Sequence, residues 1–249
     1  MLLAVDIGNT NISCGIFKGP KLIRQFDISA EKCFKTHLIK KLKYLPKISA
    51  SVICSVVPKQ TSLISDSLAS LTGRTVYIIG KDFSVPIKNL YRKPKQAGQD
   101  RLVNSYAASI FYHTPSIVID SGTAVTFDII SRRKEYLGGL ITPGMGISLK
   151  ALKEKTALLP EIKLSRPKTL IGKDTKSSIL SGIVFGAADL SSGIVRRIKR
   201  YIGKNTTIIG TGGNIDLIQK YSNLDMKVDK DLTLKGINLI YEYASKKHF

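Results

Sequence analysis

Two short stretches of this chain place an aspartate at the end of an apolar run and just before a turn that contains glycine. The first stretch, Leu2–Thr10, reads LLAVDIGNT, and the second, Ser116–Thr126, reads SIVIDSGTAVT. A buried strand that ends in a carboxylate, followed by backbone N–H groups and small polar side chains, suits the phosphates of a nucleotide and their Mg²⁺. Each stretch alone is about equally compatible with a structural hairpin, because short motifs of this kind are common.

The repetition of the pattern favours the phosphate interpretation. Asp6 and Asp120 are 120 − 6 = 114 residues apart in a chain of 249 residues, which is close to half its length. Two similar halves are therefore predicted, with one carboxylate on each wall of a cleft. In each half strands come first and then alternate with helices, so the predicted fold class is α/β with two related lobes. We place these lobes at residues 1–112 and 113–249.

The elements that must position these turns follow from hydrophobic periodicity. In the first half, a β-meander follows the first turn, and a helix is predicted over Glu31–Leu45. In the second half, helices are predicted over Met145–Lys155 and from about Ser177 to Tyr201, and a further helix closes the chain. Gly8 permits a positive φ angle in the first turn, which glycine adopts without strain. Four glycines between residues 138 and 146 indicate a backbone that approaches another group closely.

The segment Lys81–Gln99 is long for a connection, and connections of this length are often functional. It leads into Asp100, just before a helix predicted over Leu102–Tyr112. A carboxylate is favourable at a helix N-terminus, so Asp100 is interpreted either as an N-cap or as a functional group. Residue types alone favour the N-cap.

The net charge of the chain is +21, from 39 basic and 18 acidic residues. Such a charge suits a nucleic-acid partner, or it reflects a lysine-rich, solvated surface. The basic residues are spread along the sequence, and the longest run is Arg132-Arg133-Lys134. We therefore favour the second interpretation and predict no specific nucleic-acid partner.

Other features of the sequence predict a cytoplasmic protein. No apolar run approaches the roughly 20 residues that span a bilayer, so no membrane segment is predicted. The N-terminus lacks the basic region of a secretory signal. Cys14, Cys33 and Cys54 have no C-x-x-C spacing, which is typical of reduced thiols. The three histidines are scattered, so we expect no zinc site.

Five motifs occur in an order that resembles a known family. They are D-x-G-N-T at Asp6–Thr10, G-x-D-R at Gly98–Arg101, D-x-G-T-A at Asp120–Ala124, G-G-x-I-x-P-G at Gly138–Gly144 and G-x-x-T at Gly172–Thr175. Together they resemble type III pantothenate kinase, a family of the acetate and sugar kinase, heat-shock-70 and actin superfamily. The resemblance extends from the N-terminus to about residue 214. It implies two ribonuclease H-like lobes, as in actin-like ATPases, that face each other across a nucleotide cleft.

The resemblance also implies a nucleotide site built from both halves. The first phosphate loop would comprise Asp6, Ile7, Gly8, Asn9, Thr10, Asn11, Ile12 and Ser13. Thr123 resembles a contact to the nucleotide phosphates, and Gly212 and Gly213 resemble the glycines on the adenosine side. Asp120 resembles a ligand of a monovalent cation, K⁺ or NH₄⁺.

The implied substrate site lies around the G-x-D-R motif. Asp100 resembles the catalytic base, which accepts the proton of the attacking hydroxyl. The residues that resemble pantothenate contacts are Tyr91, Gly98, Gln99, Asp100, Arg101 and Thr175. A planar guanidinium such as that of Arg101 suits the carboxylate of an acid.

The implied activity is the phosphorylation of pantothenate to 4'-phosphopantothenate by ATP with Mg²⁺, the first step of coenzyme A biosynthesis. The resemblance further implies a homodimer in which the partner subunit completes each substrate pocket. Three alternatives stay open: another small-molecule kinase of the same superfamily, an actin-like or chaperone-like ATPase, and a non-catalytic regulatory accessory protein with this fold. The retained Asp6, Asp100 and Asp120 argue against the last of these.

Overall fold

The computed structural model describes residues 1–29, 36–39 and 48–248. Residues 36–39 are helical, and the rest of the helix predicted over Glu31–Leu45 lies outside the described residues. We number the other elements in chain order. The strands are β1 (Leu2–Ile7), β2 (Asn11–Lys18), β3 (Lys21–Ser29), β4 (Ala50–Ser55), β5 (Val76–Ile78), β6 (Ser116–Ser121), β7 (Ala124–Ile130), β8 (Tyr136–Pro143), β9 (Thr207–Thr211) and β10 (Lys227–Val228). The helices are α1 (Pro58–Thr72), α2 (Gln99–Phe111), α3 (Met145–Lys155), α4 (Thr175–Ile202), α5 (Ile215–Tyr221) and α6 (Leu232–His248).

The chain forms two compact units. Unit 1 comprises Met1–Ile110 and Asp231–Phe249, and unit 2 comprises Phe111–Lys230. The break after residue 110 is two residues before the predicted lobe boundary. The terminal helix differs more, because α6 places Leu234 and Ile237 in a hydrophobic core of unit 1. The prediction of 113–249 as one lobe is therefore wrong for residues 231–249.

The sheet of unit 1 has the strand order β3-β2-β1-β4-β5. The first three strands form an antiparallel meander, and β4 and β5 continue the sheet in parallel to β1. Strand β1 is buried on both faces: Leu3, Val5 and Ile7 belong to the core that contains α1, whereas Leu2 and Ala4 belong to the core that contains α2 and α6. Burial on both faces explains why β1 is a continuous apolar run rather than an alternating one.

The sheet of unit 2 repeats this topology. Its order β8-β7-β6-β9-β10 corresponds strand by strand to that of unit 1, with β6 in the place of β1. Asp6 and Asp120 are each the fifth residue of a six-residue strand, and each is half-buried between fully buried neighbours. The predicted duplication of the fold is therefore confirmed, whereas a cleft shared by the two carboxylates stays a prediction.

Helix α4 is, by length and composition, the one helix among the described residues that is apolar enough to cross a membrane. The mean hydropathy of its most apolar segment is 1.6, although only 33% of that segment is buried. The statement that no apolar run approaches the spanning length thus does not hold for α4. A core helix of a folded domain meets the same criteria, and Leu180, Val184 and Val195 of α4 belong to the core of unit 2. The helix is therefore weak evidence for a membrane segment.

Candidate active site

The first candidate carboxylate, Asp6, belongs to a row of polar side chains across unit 1. In the register of the sheet, Asp6 lies opposite Ser13 on β2 and Cys54 on β4, and Ser13 lies opposite Asp27 on β3. The Ser13 hydroxyl donates to Asp27 Oδ1 at 2.7 Å. Residues opposite each other in a sheet point to the same face, so this row places two carboxylates near the first turn.

The first turn is closed by a backbone hydrogen bond from Gly8 N–H to the Asn11 carbonyl oxygen at 3.0 Å. Gly8 does not use the positive φ angle that a glycine permits. A glycine fits this position because the backbone of the turn passes close to it: a Cβ here would lie 3.2 Å from the Asn11 carbonyl oxygen. Asn9 and Thr10 at the tip are exposed.

Two members of the predicted phosphate loop have a structural role. Ile7 and Ile12 pair with each other at the base of the turn, and both side chains are buried in the core of unit 1. Only their backbone is near the turn, and the Ile7 carbonyl oxygen already accepts from Val56 N–H at 3.2 Å. Asn11, the first residue of β2, is exposed.

Asp100 lies inside the first turn of α2 and does not cap it. The helix begins at Gln99, and Gly98 supplies the carbonyl oxygen that accepts from Leu102 N–H at 3.2 Å. Asp100 Oδ1 accepts from Arg101 N–H at 2.8 Å. The N-cap interpretation is therefore wrong, and Asp100 is left available for a functional role.

Gly98 is required by the carboxylate two residues later. A Cβ on Gly98 would lie 2.5 Å from Asp100 Oδ1, which is closer than any ordinary contact. The glycine of the G-x-D-R motif thus leaves space for the Asp100 carboxylate, which is half-buried.

Burial of Asp100 raises the pKa of its carboxyl group, and the Arg101 N–H and guanidinium oppose that rise only in part. A carboxylate whose pKa is raised towards the working pH is a stronger base while it is still ionised at neutrality. The local environment of Asp100 is therefore suited to accepting a proton.

Cys54 links the two carboxylates of unit 1. Burial raises the pKa of its thiol, and the charges of Asp6 and Asp100 both add to that rise. In the sheet Cys54 lies opposite Asp6, and the negative charges of both aspartates disfavour the thiolate form of Cys54. Sequence reasoning missed Cys54 because a cysteine within an apolar strand looks like an ordinary core residue; the available signal was its place at the end of a strand parallel to β1.

The long connection before α2 is folded back onto the start of that helix. Gly80 has a φ angle of +88°, and a Cβ there would lie 2.8 Å from the side chain of Gln99. Within the connection, Asn89 Oδ1 accepts from Tyr91 N–H at 3.0 Å, and Asn89 Nδ2 donates to the Pro94 carbonyl oxygen at 3.2 Å. Tyr91 is half-buried. The predicted substrate residues Tyr91 and Gly98–Arg101 thus share unit 1.

The second candidate carboxylate, Asp120, lies against backbone rather than against another carboxylate. Gly212 has a φ angle of +88°, and a Cβ there would overlap Asp120 Oδ1 and the backbone of Ser121. The Ser121 carbonyl oxygen accepts from Asn214 N–H at 2.9 Å. This arrangement brings the predicted Gly212 next to Asp120, whereas Gly213 is exposed with open space around it.

The second turn, Gly122-Thr123, is packed against the start of α3. Gly144 N–H donates to the Thr123 carbonyl oxygen at 3.1 Å, and a Cβ on Gly144 would overlap that turn. The close approach predicted from the glycines at 138–146 is therefore made by Gly144 to the second turn. Thr123 itself is exposed, near the N–H groups of a helix N-terminus, which favours an anion.

Thr175 belongs to unit 2, whereas the other predicted substrate residues belong to unit 1. It is the first residue of α4 in unit 2 and is exposed. Asp174 caps α4 by accepting from Ser177 N–H at 2.8 Å, and this hydrogen bond lowers the pKa of Asp174. Unit 1 therefore does not bring Thr175 to Gly98–Arg101.

The donor set at the two turns suits hard cations that are held mainly by phosphate oxygens. Among the residues that the structure describes, no group of three or more His, Cys, Asp or Glu side chains is arranged for a metal ion. Mg²⁺ in phosphoryl-transfer sites is typically bound by one or two carboxylates, waters and substrate phosphates, and the carboxylate of Asp6 is of the required type. The absence of a zinc site was predicted from the scattered histidines, one of which lies at the C-terminus. It stays a prediction.

A family model described as type III pantothenate kinase matches residues 2–197 of the chain. A type III pantothenate kinase from Finegoldia magna is 40% identical over 253 residues, which cover 96% of this chain and 96% of that protein.

Two solved structures have the same fold at low identity. A Campylobacter jejuni protein described as a conserved Baf family transcriptional activator gives a TM-score of 0.63 at 19% identity, covering 98% of this chain and 99% of that one. The activator of the 2-hydroxyisocaproyl-CoA dehydratase from Clostridium difficile, solved with bound ADPNP, gives 0.57 at 12% identity, with 99% and 96% covered. These likenesses concern fold alone, and they confirm the predicted α/β fold with two related lobes.

Proposed function

The chain belongs to the type III pantothenate kinase family, and we propose that it transfers the γ-phosphoryl group of ATP to pantothenate. The product is 4'-phosphopantothenate, and the reaction is the first step of coenzyme A biosynthesis. The single observation that carries the proposal is the half-buried carboxylate of Asp100 at the start of α2, for which Gly98 of the G-x-D-R motif leaves space, in a chain from this family.

Asp100 is the proposed general base. It accepts the proton of the pantothenate hydroxyl as the oxygen attacks the γ-phosphorus, and the bond to the leaving phosphate oxygen breaks. Arg101, whose side chain is buried, binds the carboxylate of the acid, and Tyr91 and Gln99 line the same pocket. Phosphoryl transfer requires mainly positioning and charge neutralisation, which this arrangement provides without a covalent intermediate.

The exposed tips of both turns bind the triphosphate in this proposal. Backbone N–H groups and small side chains at Asn9, Thr10 and Thr123 would hold phosphate oxygens, and the carboxylate of Asp6 would hold the Mg²⁺ that accompanies them. Bound Mg²⁺ neutralises charge that develops on the phosphates. Gly213, which has open space around it, allows the adenosine to approach the backbone.

Asp120 is the proposed ligand of a monovalent cation, K⁺ or NH₄⁺. Its half-buried carboxylate lies against the backbone of Ser121 and Gly212, where an uncompensated charge is unfavourable. A cation bound there offsets that cost and places positive charge beside the phosphates.

We propose a homodimer in which unit 2 forms the interface and Thr175 reaches the substrate pocket of the partner subunit. Strand β8 lies at the edge of its sheet and exposes Leu137, Leu140 and Ile141, and α3 exposes Ile147 nearby in sequence. Exposed apolar groups on an edge strand favour association with another chain. Light scattering should give twice 27.3 kDa, and Ile141→Lys should weaken the dimer; a wild-type monomer at micromolar concentration would contradict this proposal.

We also propose a cytoplasmic location without a membrane segment. The described cysteines Cys14 and Cys54 are buried free thiols, and reduced thiols are typical of that compartment. Fractionation of cells should find the protein in the soluble fraction, and retention in salt-washed membranes would contradict the proposal.

A panel of phosphate acceptors tests the proposed reaction. The purified protein, with ATP, Mg²⁺ and K⁺, is offered pantothenate, acetate, glucose and N-acetylglucosamine, and products are identified by mass spectrometry. We expect 4'-phosphopantothenate alone, and Asp66→Asn, an exposed change on α1, should not alter the rate. Phosphorylation of another acceptor would favour a different kinase of the superfamily, and ATP hydrolysis without any acceptor would favour an ATPase.

A further inference from the structure

Arginine is unevenly distributed in this chain. Ten of the 39 basic residues are arginines, and five of those ten lie in two short stretches, 132–133 and 196–200. A surface that is basic only because lysine is abundant would not concentrate arginine in this way. Arginine differs from lysine in its planar fork of donors, which matches the oxygens of a phosphate group.

The fold of unit 2 brings these two stretches to the same edge of its sheet. Ser116, the first residue of β6, lies between Ile130 at the end of β7 and Thr207 at the start of β9. The turn that carries Arg132 follows β7, and the end of α4 precedes β9. Because neighbouring strands are 4.7–4.9 Å apart, the end of β7 and the start of β9 lie about 10 Å from each other, and residues 203–206 join the end of α4 to β9.

Hydrogen bonds hold both connections in place at this edge. Thr114 Oγ1 donates to the Arg132 carbonyl oxygen at 3.3 Å, and Thr207 N–H donates to the Pro115 carbonyl oxygen at 3.0 Å. Asp120 is at the opposite end of β6, so this edge is separate from the second phosphate turn.

We call this surface the basic edge and define it by Arg132, Arg133, Lys134, Arg196, Arg197 and Arg200. All six side chains are exposed, and none forms an ion pair with a carboxylate in the part of the chain that the structure describes. Favourable interaction with the C-terminal dipole of α4 would account for a cation such as Arg200. It does not account for the cations of the β7–β8 turn or for the preference for arginine.

An exposed aromatic ring adjoins the arginines of α4. Tyr201 is 94% exposed, and it shares a face of the helix with Arg197, four residues earlier. Both faces of such a ring are open to a stacking partner. An aromatic side chain between cations is the arrangement by which proteins bind single-stranded nucleic acids without sequence preference.

We propose that the basic edge binds single-stranded nucleic acid, with arginines on the phosphates and Tyr201 stacked on a base. This binding does not depend on base sequence, and it is independent of the kinase reaction. An anionic membrane is less well matched, because lipid charge attracts lysine as well as arginine and inserting surfaces carry several apolar side chains beside the cations. The prediction of no specific nucleic-acid partner rested on charges that are dispersed in sequence but that folding gathers here.

The test is the fluorescence anisotropy of a labelled oligouridine of about 15 nucleotides, within the range of single-strand site sizes, titrated with the full chain. With about four phosphate contacts, the affinity should fall about 50-fold between about 50 and 200 mM salt. The variant with Arg196→Ala, Arg197→Ala and Arg200→Ala should bind at least about 10-fold more weakly, and Tyr201→Ala about 5-fold or more.

A matched control removes three lysines of α3 in the same unit, through Lys150→Ala, Lys153→Ala and Lys155→Ala. This control should change the affinity less than about 3-fold, because it alters net charge equally but not the basic edge. Replacing the three arginines with lysines should restore only part of the affinity. Kinase activity should be unchanged in all variants, which also reports that they fold.

Two results would overturn the proposal. Equal losses in the arginine variant and the α3 control would mean that net charge alone attracts the oligonucleotide. Tight binding to vesicles that contain phosphatidylserine, lost in the arginine variant while oligonucleotide binding persists, would assign the basic edge to a membrane surface instead.

Discussion

The β1–β2 hairpin of unit 1 and the β6–β7 hairpin of unit 2 have the same frame but different surroundings for the carboxylate. In unit 1, Asp6 lies opposite Ser13 and Cys54, and Asp100 also acts on Cys54. In unit 2, Asp120 lies opposite Thr126 and Thr211, and its carboxylate is next to backbone. In unit 1 a further carboxylate, that of Asp27, belongs to the same row of the sheet, whereas in unit 2 the carboxylate of Asp120 lies next to the backbone of Gly212.

The turns of the two hairpins differ in length as well. Three residues, 8–10, join β1 to β2, and a hydrogen bond from Gly8 N–H to the Asn11 carbonyl oxygen closes this turn. Two residues, 122–123, join β6 to β7, and a hydrogen bond of 2.9 Å from Gly122 N–H to the Ala124 carbonyl oxygen closes that one. The longer turn exposes two polar side chains, and the shorter one is supported from behind by Gly144.

The comparison indicates how two copies of the same fold can carry different chemistry, a difference that we call the division of labour. The strand-end carboxylate is common to both units, and neighbouring residues decide its chemistry. A second carboxylate of raised pKa suits proton transfer in unit 1, whereas backbone oxygens around one carboxylate suit a cation in unit 2. The following predictions test that division.

The largest expected effect is on Asp100→Asn. The amide cannot accept the hydroxyl proton, so kcat should fall about 10²- to 10⁴-fold, the usual loss when a general base is removed. Steady-state kinetics with pantothenate measure this. Asp66→Asn is the control, and a variant within a few-fold of wild type would move the base elsewhere.

The pH dependence of wild-type kcat checks the same residue. Activity should rise with pH as Asp100 ionises, at a pH above the ordinary carboxyl range because burial raises its pKa. The sign for stability is opposite: a raised pKa means that stability is lost as pH rises through the folded-state pKa. Asp100→Asn should therefore melt no lower than wild type at neutral pH, and any gain should vanish in acid. A clearly lower melting temperature at neutral pH would contradict this.

The next effect concerns the cation. If Asp120 binds K⁺, the Asp120→Asn variant has lost the site that distinguishes K⁺ from Na⁺. Its rate of phosphorylation in K⁺ should therefore be about that of the wild type in Na⁺. Rates in KCl and NaCl at equal ionic strength measure this. A wild type that is equally active in both salts would remove the proposed role.

A smaller effect is expected for Gly98→Ala. The added methyl group displaces the Asp100 carboxylate, and a misplacement of about 1 Å can cost up to about 10²-fold in rate. Gly193→Ala is the matched control, since a Cβ there meets nothing within 4 Å, and it should leave kcat unchanged. Wild-type kinetics for Gly98→Ala would mean that the carboxylate need not stay where it is.

The smallest effect is expected for Ser13→Ala. The substitution removes the hydrogen bond of 2.7 Å between the Ser13 hydroxyl and Asp27. Because this bond is exposed to solvent, the free energy of unfolding should fall by only about 1 kcal/mol. Urea unfolding measures this, with Ser67→Ala as a control because its hydroxyl bonds only to Leu63 within α1. No difference between the two variants would show that the polar row adds nothing to stability.

Local pattern predicted the parts of the fold that depend on neighbouring residues. Helix Met145–Lys155 begins and ends where its periodicity indicated, and the two strand–carboxylate–turn units occupy equivalent places. Periodicity gives an amphipathic helix but not the sheet that it covers, so the packing of α6 on unit 1 could not be predicted. Its apolar face would fit either sheet.

The site residues that lie within one sequence motif could be predicted. Those that the fold brings together from distant parts of the chain could not. Gly98 and Asp100 stand two residues apart, so their steric relation is local. Strand pairing places Cys54 opposite Asp6 and Asp27 opposite Ser13. The basic edge forms where two connections meet. Such contacts depend on register between strands far apart in sequence, which residue types do not encode directly.

The division of labour is tested most directly by the dissociation constant for ATP with Mg²⁺, measured by calorimetry for Asp100→Asn and Asp120→Asn in K⁺ and in Na⁺. The account predicts that Asp100→Asn binds ATP as tightly as the wild type and keeps the preference for K⁺, whereas Asp120→Asn binds equally in both salts. Loss of the K⁺ preference in Asp100→Asn, with its retention in Asp120→Asn, would contradict the account.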